Sequence, residues 1–156
     1  MNTPASNAPA LYIPALAGLY RGASSAAWPL VRVVTGLWMM PHGAQKLFGW
    51  FGGNIEGIAG FFAKIGLTPA LPLAYATGVV EFFGGLLLVL GLWTRPAAAA
   101  AAVLMLIAAL KVHLANGFFW SQGGYEYPLM WALLAFAITL RGAGPLSLDA
   151  RIGREF

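Results

Sequence analysis

Residues 28–50 read WPLVRVVTGLWMMPHGAQKLFGW. A helix needs about 20 mainly apolar residues to cross the roughly 30 Å of hydrocarbon in a bilayer. This run is long enough, yet it carries Arg32, His42, Gln45 and Lys46. At about 100° per residue, Arg32, Thr35, Gly36, Met39, His42, Gly43 and Lys46 fall within roughly a third of the helix circumference, with Pro41 on the opposite side. Hydrocarbon offers an ionised group neither hydrogen bonds nor counter-charge, so that stripe must face other helices or a wet cavity. The run is a lipid-embedded helix whose polar face needs partners elsewhere in the chain.

Composition agrees. The chain has 156 residues, 60% of them hydrophobic and 9% charged, against about a quarter charged in soluble domains. The net charge of +4 is spread over nine Lys and Arg with no basic run or aromatic-interleaved patch, so nucleic acid is not an expected partner and the lipid bilayer is. There is no cysteine, which excludes disulfides, thiolate metal sites and a dithiol relay of the vitamin K epoxide reductase type. The opening MNTPASNAPA lacks the positive region of a signal peptide and reads as a retained tail. Residues 11–20, LYIPALAGLY, are too short to cross, and Pro14 and Gly18 argue for an interfacial approach segment. Residues 1–27 are therefore expected to form a tail and interfacial segment.

After the first span, Ile58, Phe61, Phe62 and Ile65 repeat at helical spacing while Glu56 and Lys64 stay polar, with Asn54 as N-cap and Gly66 and Pro69 as a stop. This predicts a short amphipathic helix at the membrane surface. A second span covers residues 71–93, with Thr77, Gly78, Glu81, Gly84, Gly85 and Leu88 on one face. Small residues beside the carboxylate allow another helix to approach closely. A third span, residues 97–114, opens with an alanine run and ends in Lys111 and His113, which point about 200° apart, so at most one faces the bundle centre. A fourth covers residues 126–140, with Pro128 in its first turn, and residues 142–156 read as a polar tail. The expected fold is all-α: an integral membrane four-helix bundle over residues 28–141, with an interfacial helix between spans 1 and 2. Arg21, Arg95, Arg141, Arg151 and Arg154 fall on the side of the termini, so the positive-inside rule places both termini in the cytoplasm and the chain in the cytoplasmic (inner) membrane.

At about 1.5 Å per residue, His42, Lys46, Glu81, Lys111, His113 and Glu126 come to similar depths in the outer half of the membrane, with Arg32 nearer the inside. Glu81 must be protonated or paired there, and His42, Lys46 and Lys111 are the partners within reach. Arg32, His42, Lys46, Glu81, Lys111, His113 and Glu126 thus form the candidate ligand-binding cluster. The plainer alternative is an ion-pair network that only fixes helix register. No catalytic residue is assigned. No H-E-x-x-H or Glu-x-x-His spacing occurs and lysines lie nearby, so no metal is expected. The glycines of residues 84–91 lack the context of a phosphate loop, and no serine sits in a nucleophile elbow. Trp28, Trp50, Trp93 and Trp120 stand at span ends, as an interfacial belt requires.

With these residues in view, the chain resembles the DoxX family of small four-span membrane proteins. The likeness runs from about Leu30 to Asp149, through RVVTGLWMMPHGAQKLFG, VVEFFGGLLLVLGLWTR, HLANGF and YEYPLMWALLAFAITLRGAGPLSLD. Its pattern picks out Arg32, His42, Lys46, Glu81, Gly84, Gly85, Gly91, His113, Glu126 and Asp149. The resemblance implies association with quinone-linked oxidation, in which some relatives serve as membrane parts of redox complexes. The expectation is a quinone-associated subunit with no intrinsic cofactor and no self-sufficient catalytic machinery, a quinone as ligand, and other membrane subunits or further copies of itself as partners. A structural or assembly subunit is the alternative, and a small proton-coupled carrier comes behind it.

Overall fold

The computed structural model describes residues 9–156, whose regular secondary structure is entirely helical, with no strand among them. The first helix, α1 (Ala17–Phe48), follows a single turn at Pro14–Leu16. It starts well before Trp28, so the last four residues of the expected approach segment, from Ala17 on, are the beginning of the same helix. Pro14 stands ahead of the helix, where its missing N–H costs nothing. Gly18 and Gly22 are exposed with no neighbour to offend, and each costs only about 1 kcal/mol relative to alanine. At 32 residues, α1 is about 48 Å long and overreaches the hydrocarbon. Residues 1–8 of the expected tail lie outside the described residues.

The chain then forms α2 (Ile55–Lys64), the expected short amphipathic helix. Asn54 caps it, its side chain accepting from the N–H groups of Glu56 (3.0 Å) and Gly57 (3.2 Å). Two long apolar helices follow, α3 (Ala70–Leu90) and α4 (Thr94–Asn116), each long and apolar enough to cross a membrane. Next come α5 (Glu126–Arg141) and the short α6 (Leu148–Ile152). The bundle's outer surface is apolar: Leu37, Phe83, Leu110, Leu133 and Phe136 are all exposed. In water that would be a liability, and in lipid it is the expected contact surface.

Close approach of α1 and α3 sets the architecture. Gly36 faces Gly85 and Gly43 faces Gly78, an antiparallel seam with a seven-residue step on both helices. A Cβ at Gly36 would collide with the Gly85 carbonyl, and one at Gly43 with the Phe82 amide and the Gly78 carbonyl. Small residues are what let membrane helices touch backbone to backbone. The buried positions of α1, Pro29, Arg32, Thr35, Gly36, Met39, Gly43 and Ala44, are largely the predicted stripe. The alanine run does the same for α4 and α5, where Ala97, Ala98 and Ala101 pack with Ala135 and Ile138.

At the end of the bundle that holds both termini, residues 142–156 depart from the expected tail. They fold back under the helices. Asp149, almost fully buried, accepts from the amides of Trp93 (2.9 Å) and Thr94 (3.0 Å) and so caps α4. Its own N–H donates to the Gly91 carbonyl at 2.8 Å. Ser147 caps α6 through the Ala150 amide (3.1 Å). Arg95 donates to the Thr139 and Leu140 carbonyls that end α5. Trp28 is half-buried, donating to the Gly142 carbonyl (2.9 Å) beneath the Arg141 guanidinium, so it is more than a belt residue.

Candidate functional site

Lys46 and Glu81 each lie three residues beyond a seam glycine, Gly43 and Gly78. The close seam brings Lys46 Nζ within 2.6 Å of Glu81 Oε2. Lys46 also donates to the His42 carbonyl at 3.3 Å. Glu81 sits in a π-helical stretch of α3, Val80–Gly84, and a second such stretch, Ala108–His113, occupies α4. A π turn widens the backbone by one residue and recurs at functional sites. Here both border the same space.

That space is a cleft of about 370 Å³ to which all five longer helices contribute. Its polar side chains are His42 and Lys46 from α1, Thr77 and Glu81 from α3, and His113 from α4. Aromatic walls come from Trp38, Phe61, Phe62, Tyr127 and Trp131. Phe61 and Phe62 belong to α2, so the amphipathic helix bounds the cleft. An apolar cavity with a few convergent polar groups is the usual form of a small-molecule site.

Four of the seven predicted residues, His42, Lys46, Glu81 and His113, therefore share one cleft. The other three are elsewhere. Arg32 is 1% exposed and belongs to the terminal end of the bundle, where it donates to the carbonyls of Leu88 (2.8 Å) and Leu146 (2.9 Å). It lies against Gly91, whose positive φ and missing side chain make room for the guanidinium. It faces inward and is too enclosed to reach the headgroups. Lys111 is exposed on the outer face of α4, and its neighbour two residues on, His113, is the one that turns inward. Glu126 accepts from the Trp120 amide (3.1 Å) and braces the loop before α5. Among the described residues no three metal-ligating side chains gather.

The aromatic walls and Thr77 are site residues that lie outside the seven predicted from sequence. Their signal was present: Trp38 and His42 are four apart on α1, as are Tyr127 and Trp131 on α5, so each pair shares a face.

The DoxX family model matches residues 27–114, more than half of the chain, including the four predicted residues His42, Lys46, Glu81 and His113. This chain belongs to the DoxX family. Among curated relatives, it is 33% identical over 120 residues to a Bacillus subtilis (strain 168) protein named "Putative oxidoreductase CatD", covering 77% of this chain and 82% of that protein. It is 37% identical over 87 residues to an uncharacterized protein of Haemophilus influenzae, covering 54% of this chain and 65% of the relative. No solved structure matches this DoxX chain.

Proposed function

We propose that this DoxX protein is a quinone-associated subunit of a membrane oxidoreductase, and that the cleft holds the quinone ring. One observation carries the reading: a largely apolar, aromatic-walled cleft in a lipid-embedded bundle, with the Lys46–Glu81 pair, His42 and His113 at its wall. A flat ring with polar oxygens at its edge matches aromatic faces and a few hydrogen-bonding groups. The name of the Bacillus relative points the same way. His42 and Lys46 would bind and orient the ring oxygens, and Glu81 would hold the ammonium in place. A quinone held there would supply the redox chemistry, with another membrane subunit as its electron partner. The arginines at the terminal end support a cytoplasmic location for that end and an inner-membrane location for the protein.

The test is binding. Purified protein in detergent, titrated with a short-chain quinone, should show saturable quenching of tryptophan fluorescence from Trp38 and Trp131, weakened at least tenfold by His42→Ala. Absence of saturable quenching in the wild-type protein overturns the reading. It would leave the ion pair as a fastener of helices, the role of a structural or assembly subunit.

A further inference from the structure

The protons at the cleft are distributed unevenly. His113 Nδ1 lies 2.6 Å from the Gly123 carbonyl. A carbonyl only accepts, so Nδ1 carries the proton, and in the neutral ring Nε2 is left as an acceptor. The Thr77 hydroxyl donates its proton to the Ala74 carbonyl at 2.8 Å, leaving lone pairs. Glu81 commits Oε2 to Lys46, while the described residues give its Oε1 no donor. Lys46 has already directed two of its three protons, to Glu81 and to the His42 carbonyl. Three acceptors are thus fixed by contacts outside or beside the cleft. The donors that remain are the third Lys46 proton and the indole N–H groups of Trp38 and Trp131, while His42 and Tyr127 serve either way.

We infer that the cleft selects the reduced, dihydroxy form of its ring ligand, the quinol, over the quinone. This rests on the quinone-site reading above. A quinone oxygen carries lone pairs only and meets Thr77, Glu81 Oε1 and His113 Nε2 as acceptor against acceptor. A quinol hydroxyl both donates and accepts, so the two hydroxyls of the ring satisfy two of those three acceptors, and each still receives a hydrogen bond from Lys46 or an indole. A site whose buried polar groups require a donor rejects an analogue of the same size that lacks one far more strongly than apolar fit alone allows.

The experiment compares three short-chain ligands on the wild-type protein by fluorescence quenching, anaerobically: the quinol, the matching quinone, and the quinol dimethyl ether, which keeps the ring but has no O–H. The expected order is quinol tightest, with the quinone at least tenfold weaker and the ether weaker again. His113→Phe, which keeps a ring there but no acceptor, should shrink the quinol-to-quinone ratio at least threefold. Constancy of that ratio in the variant, or equal or tighter quinone binding to wild type, overturns the selectivity and leaves the site reading standing. Binding of none of the three overturns the site reading itself.

Discussion

Lys46 Nζ and Glu81 Oε2 lie 2.6 Å apart on different helices, with 15% and 8% of their side chains exposed. The seam beneath them dictates the contact. A Cβ on Gly78 would come within 3.0 Å of the Lys46 Cβ, so the ion pair and the glycine seam stand or fall together. The pair completes a packing surface and supplies the polar edge of a cleft.

Removing one member of the pair leaves the other charged and enclosed. Lys46→Met or Glu81→Met should each destabilise the bundle by about 3–5 kcal/mol, whereas the double replacement should recover most of that loss, because two apolar chains leave no ion behind. Thermal unfolding of the three variants in one detergent decides it. Single losses that simply add in the double variant would show that the two groups are energetically independent.

The seam makes a paired prediction. Gly43→Ala puts a methyl against the Phe82 amide and Gly78 carbonyl, backbone atoms that cannot move aside, and should cost about 1–3 kcal/mol. Gly22→Ala, on the same helix with open space around it, should be neutral or stabilising by up to about 1 kcal/mol. Equal melting temperatures for the two variants would mean that the helices are not held at the glycines.

Much of this was legible in the sequence, and what was not has a physical reason. The stripe of α1 and the small face of α3 follow from helical periodicity, and an unpaired charge in lipid is costly enough that Lys46 and Glu81 had to find partners. Depth alone also drew in Lys111 and Glu126, because distance along an axis does not say which way a side chain turns. Arg32 was misplaced for a different reason. Its partners are backbone carbonyls, and one belongs to Leu146, a distant residue with φ +58°, a conformation that side-chain patterning does not announce. The folded C-terminal segment was hidden likewise, since Asp149 caps a helix that starts 55 residues earlier in the chain and local capping signals cannot show this.

That cap gives a prediction about the C-terminal segment. Asp149→Ala leaves the Trp93 and Thr94 amides without their acceptor and should cost about 1–2 kcal/mol. Because α6 is held largely through this residue, the loss should be local: limited proteolysis should clip within residues 144–156 in the variant under conditions where the wild-type segment survives. Equal resistance in the two proteins would show that Arg32, Ser147 and Glu155 hold the segment without it.

The cap on α2 should reach the cleft. Asn54→Ala removes the acceptor for two amides at the start of the helix, a loss of about 1 kcal/mol, and hydrogen exchange over residues 55–64 should rise. Phe61 and Phe62, carried by this helix, form part of the cleft wall, so fraying opens the wall and ring-ligand affinity should fall severalfold. The Lys46–Glu81 pair belongs to other helices, and global thermal stability should change little. Asn54→Asp keeps the side-chain acceptor and should restore both exchange protection and affinity. Faster exchange with unchanged affinity would mean that α2 rests on the membrane surface without shaping the site.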